Sequence, residues 1–278
     1  MEKILVVGLG EIGRPIYELI EESGKYQVYG YDIDPAKTIH RLEEIPENID
    51  ILHICYPYTE KFVETTTDYI KKYNPSLTII HSTVAPGTTR RIHQETRKPI
   101  AYSPVRGKHP HIKQHLKFWT KWVTGIPQEA VEKAKQHLET IGLKTRTTDN
   151  PETLELAKLF ETVYRATMIA FWQEAHRVAR KYNADIAGIA EFIAEVHQVL
   201  QDRPIYYPGY IGEHCLIPNT KIINQAHPSP LWQFILESNE ERRKEQENPE
   251  IRREIENVKK IWQKQTPKWY YSGEEAKQ

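Results

Sequence analysis

The chain begins with a short apolar run, Ile4, Leu5, Val6 and Val7, that stops at Gly8-Leu9-Gly10-Glu11-Ile12-Gly13. Few folds accommodate that succession. Residues 4–7 are apolar at every position, as a strand buried on both faces must be. Residues 12–21 carry apolar side chains at helical spacing. Between the two, Gly8 permits a tight turn, Gly10 lets backbone approach a ligand, and Gly13 lets helix and strand pack closely. The helix start then points unpaired N–H groups at the turn, where a pyrophosphate is held. A second apolar run, Gln27–Tyr31, ends at Asp32. A carboxylate there accepts hydrogen bonds from the adenosine ribose hydroxyls and repels a 2′-phosphate. The pattern predicts a Rossmann unit that binds NAD rather than NADP, with Gly8, Gly10, Glu11, Ile12, Gly13 and Asp32 as cofactor contacts.

The same rhythm continues. Residues 51–55, 77–81 and 122–124 read as buried strands and 143–147 as a last one, with helices at 60–73 and 127–141. This alternation predicts an α/β, doubly wound parallel sheet over residues 1–149. The character changes at Asp149, Asn150 and Pro151. Either Asp149 or Asn150 would cap a helix with Pro151 in its first turn. That helix, 152–182, has neither proline nor glycine after its start, and Leu154, Ala157, Phe160, Val163 and Tyr164 recur at helical spacing. With 185–200 it predicts an all-helical domain over 150–236, followed by a proline- and glycine-bearing loop at 203–219. Residues 237–278 form a charged tail, helical over 237–265, with Ile251, Ile255, Val258 and Trp262 on one stripe. Its last residues, from Ser272, are expected to fray. Trp262, Trp269, Tyr270 and Tyr271 read as packing of this tail.

Composition excludes several classes. Lysine plus arginine and aspartate plus glutamate balance at 38 each, so no overall field favours nucleic acid or an anionic membrane. The 2 cysteines, Cys55 and Cys215, make no disulfide framework and suit a reducing compartment. Without a stretch long and apolar enough to span a bilayer, a cytoplasmic location is expected. Cys55, mid-strand, reads as a small core residue. His109, His111 and His115 have no carboxylate cluster beside them, so no metal site is expected.

Further motifs resemble the UDP-glucose/GDP-mannose dehydrogenase family. They are the opening segment, IHSTVAPGTT at 80–89, AYSPVRG at 101–107, the long helix at 155–179, and PGYIGEHCLIPN at 208–219, all in family order. The resemblance implies a Rossmann domain followed by a 6-phosphogluconate-dehydrogenase-like helical domain that pairs as a homodimer through its long helix. It implies an NAD-dependent oxidation of a CH–OH group in a small alcohol or sugar-derived, anionic substrate. Cys215 stands where the family has its nucleophile, and Lys158 where a lysine stabilises the developing alkoxide. Thr83 matches a threonine beside the nicotinamide and is a catalytic candidate that would position a water or the substrate, Ser82 next to it is a candidate cofactor contact, and Tyr56 and Pro57 match a cofactor-contacting loop. Arg106, Lys108 and His214 are the candidate substrate contacts. Glu213 and His214 also read as a possible proton-handling pair.

Four positions depart from the family pattern. Val105 replaces a glutamate, Thr162 an asparagine, Asn219 an aspartate and Glu213 a glycine. The family's C-terminal nucleotide-sugar-binding domain is expected to be missing. Two alternatives to the full reaction therefore stand: a single hydride transfer of hydroxy-acid type, or an NAD-binding or interaction protein without catalysis.

Overall fold

The computed structural model describes residues 1–212 and 214–272, in two compact units, Met1–Lys158 and Leu159–Gln278. The first unit runs β1 (Lys3–Val7), α1 (Gly13–Ser23), β2 (Gln27–Tyr31), β3 (Ile51–Ile54), α2 (Phe62–Tyr73), β4 (Leu77–Ile80), α3 (Thr88–Thr96), β5 (Ile100–Tyr102), α4 (Ile112–Phe118), β6 (Lys121–Ile126), α5 (Gln128–Thr140) and β7 (Thr145–Thr147). The strands form one sheet in the order β2-β1-β3-β4-β5-β6-β7. Successive residues of β1 enter opposite cores. Ile4 and Val6 join the layer of α1 and α5, whereas Leu5 and Val7 join that of α2. Burial on both faces is why the run never alternates with polar residues.

One expectation needs correction. The sheet is parallel except that β6 runs antiparallel to β5, pairing Ile100 with Ile126 and Tyr102 with Thr124. The three-residue β5 is too short to show a period, and the following segment holds only the two-turn α4. The chain therefore returns along the same edge instead of crossing over. The short α3 and α4 also escape a reading by period.

A long helix, α6 (Pro151–Lys181), starts in the first unit and continues into the second. Asn150, not Asp149, caps it: the Asn150 carboxamide oxygen accepts from the N–H of Glu152 at 2.8 Å. The second unit adds α7 (Ile186–Leu200), α8 (Leu216–Ala226), α9 (Pro230–Glu245), α10 (Pro249–Gln265) and α11 (Lys268–Ser272). Trp172, Ala190, Ile205, Val258 and Ile261 form its core. The charged region is two helices rather than one. Asn248 accepts from the Glu250 N–H at 2.9 Å and Pro249 has no N–H to donate, so the chain breaks and restarts there. Ile251 and Val258 are buried as the stripe predicts, with α10 against α7. The sequence reading of Glu213, of the side chains of Tyr270 and Tyr271, and of the fraying beyond Ser272 lies outside the described residues. Among those described, no helix is long and apolar enough to cross a membrane.

Candidate functional site

Strand order reverses at β1, whose neighbours are β2 and β3. The crevice outside the carboxyl ends of strands at such a point is where open α/β sheets bind ligands. The glycine turn lies there. Gly8 sits at φ +89°, and a Cβ on it would stand 2.6 Å from the Tyr56 nitrogen after β3. A Cβ on Gly13 would stand 1.7 Å from the Gly8 carbonyl oxygen, so only glycine lets α1 start against the strand. Gly10 differs: a Cβ there meets nothing within 4 Å. Among the described residues, no packing demands this glycine. A side chain at Gly10 would fill the cradle, which fits a bound pyrophosphate. Glu11 and Ile12 form the exposed and half-buried lip of the turn. One Asp32 carboxylate oxygen accepts from the Leu9 N–H at 2.6 Å, and the other from the Asp34 N–H at 2.9 Å. The carboxylate is thereby pinned beside the glycine turn.

The next loops are tied to this crevice. Ser82 donates to the Tyr56 carbonyl at 2.6 Å, fastening the chain after β4 to the turn after β3 that holds Pro57, and Thr83 lies half-buried next to it. The Tyr56 hydroxyl meets that of Thr66 at 2.6 Å, and burial holds its phenol well above the ordinary range. Glu155 on α6 anchors the rest of that segment. Its carboxylate accepts from the N–H of Gly87 at 2.6 Å, the N–H of Thr89 at 2.8 Å and the Thr89 hydroxyl at 2.7 Å. Burial raises the Glu155 carboxyl, and these donors pull it the other way. Lys158, half-buried, lies one turn further along α6.

Around 102–108 the structure separates the expected residues. Val105 is a core residue beside Leu9, Ile112 and Leu116. The Arg106 guanidinium donates to the Thr120 carbonyl at 2.6 Å and stacks 5.0 Å from the Trp119 ring. The Lys108 N–H donates to His115 at 2.9 Å. Beneath them Lys121, 4% exposed, donates to the Pro104 carbonyl at 2.9 Å and to that of Ser103. Burial lowers its ammonium far below the usual range, and the Lys158 and Arg106 charges push it the same way.

In the second unit Cys215 is exposed and forms the N-cap of α8, with His214 Nδ1 at 3.0 Å from its Sγ. Two of the departures from the family pattern prove to be partners. Asn219 donates from Nδ2 to the Thr162 hydroxyl at 2.9 Å, and that hydroxyl donates to the Leu159 carbonyl at 2.9 Å. Among the described residues, no group of three histidine, cysteine, aspartate or glutamate side chains is disposed to hold a metal ion.

Residues 152–241 match the model of the UDP-glucose/GDP-mannose dehydrogenase family, central domain. The chain is a relative of the UDP-glucose/GDP-mannose dehydrogenases. It is 26% identical over 261 residues to a UDP-N-acetyl-D-mannosamine dehydrogenase of Methanocaldococcus jannaschii, covering 77% of this chain and 60% of that one. A Pyrococcus horikoshii protein of the same name is 24% identical over 265 residues, covering 77% and 62%. A solved structure of UDP-D-ManNAc dehydrogenase from Pyrococcus horikoshii superposes with a TM-score of 0.73 at 21% identity, covering 86% of this chain and 68% of that one. That likeness shows the shared fold, a Rossmann unit followed by a helical one. The chain spans about 60% of the length of the curated relatives it matches.

Sequence reasoning about this dehydrogenase relative missed Glu155, Lys121 and a buried row of histidines. In that row His53 Nδ1 lies 2.9 Å from His81 Nε2, and His53 Nε2 lies 3.0 Å from His137 Nε2. His81 Nδ1 lies 2.9 Å from the Ser103 carbonyl. Only Glu155 left a signal, an acid inside the apolar pattern of 154–159. Each of the others sits within an apolar strand or a mixed helix, where polar partners distant in sequence decide its role.

Proposed function

We propose that the chain is an NAD-dependent dehydrogenase acting on a CH–OH group of a small, anionic, sugar-derived alcohol in the cytoplasm, related to the nucleotide-sugar 6-dehydrogenases. The observation that carries this reading is the open space at Gly10, in a turn whose Gly8 and Gly13 accept no Cβ and whose Leu9 N–H holds the Asp32 carboxylate. When bound, NAD accepts the hydride. Backbone N–H groups from Gly10 to Gly13 would hold its pyrophosphate and Asp32 its ribose hydroxyls, while Tyr56, Pro57, Ser82 and Thr83 would contact the nicotinamide end, with Thr83 positioning a water or the substrate. Lys158 places its ammonium on the alkoxide, so the carbinol carbon loses hydride while the hydroxyl proton passes to solvent. Arg106 and Lys108 of the first unit, and separately His214 of the second, are the proposed contacts of an anionic substrate. Cys215 would act if oxidation continues: its thiol would add across the aldehyde carbonyl, sulfur to carbon and proton to oxygen, the hydride of that adduct would pass to a second NAD while its hydroxyl proton passes to solvent, and water would cleave the thioester to the acid and the free thiol.

One observation favours a shorter reaction. The Asn219 amide is engaged by Thr162 and Val105 is in the core, so neither position offers a carboxylate to activate water. The two-electron form predicts one NADH per turnover and an aldehyde or ketone product. The four-electron form predicts two NADH and an acid. Calorimetric titration with NAD tests the shared premise, and absence of binding would sink both.

A homodimer through α6 and α7 completes the reading. Phe160, Tyr164, Phe171 and Phe192 are exposed, and Phe171, Ala175, Val178, Tyr182 and Ile189 line an apolar groove of about 420 Å³. Monomer patches of that character mark interfaces. Sedimentation of Phe171→Glu should give a monomer where the natural chain gives a dimer.

A further inference from the structure

The proposed chemistry leaves unexplained a set of buried polar side chains in the second unit. Gln173 on α6 is fully buried, and Ser238 and Asn239 on α9 are 3% and 5% exposed. Gln173 and Asn239 reach the irregular segment that leads to Cys215, and Ser238 holds Gln173. Gln173 donates from Nε2 to the Gly209 carbonyl at 2.8 Å. Asn239 grips Ile211 twice, accepting from its N–H at 2.7 Å and donating to its carbonyl at 3.0 Å. The amides cannot flip. Ser238 donates to Gln173 Oε1 at 2.7 Å, and Arg177 donates to the Ser238 hydroxyl at 3.0 Å and to its carbonyl at 2.9 Å. Arg242, 1% exposed, donates to the Gln173 carbonyl at 2.9 Å. Backbone in an irregular segment must find partners when buried; here amide side chains supply them in place of a strand.

The far side of Cys215 is held too, by the bond from Asn219 to Thr162 at 2.9 Å. Thr162 and Gln173 are eleven residues apart on α6, about three turns, so they share one face of the helix roughly 16 Å apart. The short stretch carrying the thiol is thus bracketed by anchors at Ile211 and at Asn219, both reaching the same face of α6. We propose that Gln173 and Asn239 are positioning residues that set the place of the Cys215 thiol at the start of α8 beside His214. The inference rests on reading Cys215 as a reacting group. The clamp contacts only backbone, so it fixes where the loop runs without touching what reacts.

The test is alkylation of Cys215 in the full chain by iodoacetamide, followed from pH 6 to 9 with the labelled peptide assigned by mass spectrometry. Cys55 is buried in the other unit and is scored separately. Asn239→Leu and Gln173→Met should slow Cys215 alkylation at neutral pH about twofold to fivefold, the size of a lost charge–helix-terminus interaction, and displace its pH profile. Asn239→Asp, which keeps the acceptor for the Ile211 N–H and loses the donor, should fall between. A clamp that merely stabilises would lower the melting temperature and leave rate and profile unchanged; wild-type profiles in folded variants overturn the proposal. If Asn239→Leu does not fold, Ser238→Ala, which leaves both backbone bonds to Ile211 and removes the hydroxyl's bonds to the Gln173 amide and to Arg177, gives the same reading with a smaller shift. NAD calorimetry on the same proteins separates the two ideas. If the natural chain binds no NAD, the dehydrogenase reading fails while the alkylation result stands.

Discussion

The histidine row gives the first unit an acid limit whose size follows from its geometry. A carbonyl only accepts, so His81 Nδ1 carries a proton toward Ser103 and its Nε2 is bare. His53 must then donate from Nδ1 to His81, and His137 from Nε2 to His53. That leaves His137 Nδ1 as a bare, buried nitrogen with no partner among the described residues. All three rings are neutral, and a further proton on any of them would have no acceptor. Burial lowers His53 and His81 far below the ordinary value and His137 to about 4. In the unfolded chain each titrates near 6.5. The stability from keeping them neutral is therefore complete above about pH 6.5 and is lost as pH falls toward the folded values. His137 alone accounts for about 3 kcal/mol across that window. With three sites titrating, stability should fall by up to about 4 kcal/mol per pH unit. Urea unfolding at pH 8, 7, 6 and 5, read by pulse proteolysis with peptides from residues 51–80, measures the first unit separately. His137→Leu should reduce the slope by about one third. A slope of one proton or less, or a His137→Leu slope equal to the natural one, would refute the reasoning.

Other expectations are simpler. Gly13→Ala places a Cβ 1.7 Å from the Gly8 carbonyl, so the turn must open and NAD binding by calorimetry should disappear, whereas Gly10→Ala should fold normally and lose affinity alone. Glu155→Gln sets an amide N–H₂ against the Gly87 N–H and should lower stability by about 1–3 kcal/mol in urea titrations. Lys158→Ala should abolish substrate-dependent NADH formation while leaving NAD binding intact. Asp32→Ala should weaken NAD at least about tenfold, the worth of one or two charge-assisted hydrogen bonds, and narrow its preference over NADP.

What could be read from sequence divides by the range of the interactions. The strand, glycine turn and helix of residues 3–23 are local, and three glycines with an apolar run were enough to place them. The capping of α6 by Asn150 was legible for the same reason, although the choice against Asp149 needed coordinates. The reversal of β6 was not legible, because nothing within three residues of β5 records the direction of its partner. The histidines fall inside runs that the pattern assigns to strands and a helix, and Lys121 stands just before one. Their partners lie 17 to 84 positions away in the chain. Asn219 and Thr162 were read singly as lost catalytic groups, and only their mutual hydrogen bond shows that together they form an anchor.

The grip on Gly209 and Ile211 has a consequence for how such a loop can change over generations. It recognises peptide groups and ignores side chains. Every amino acid except proline presents the same N–H and carbonyl at Ile211. Exposed side chains between the anchors can therefore be exchanged, to suit one substrate or another, while the grip on the peptide groups at Gly209 and Ile211 stays as it was. A socket indifferent to the identity of what it holds lets chemistry drift on a frame that does not.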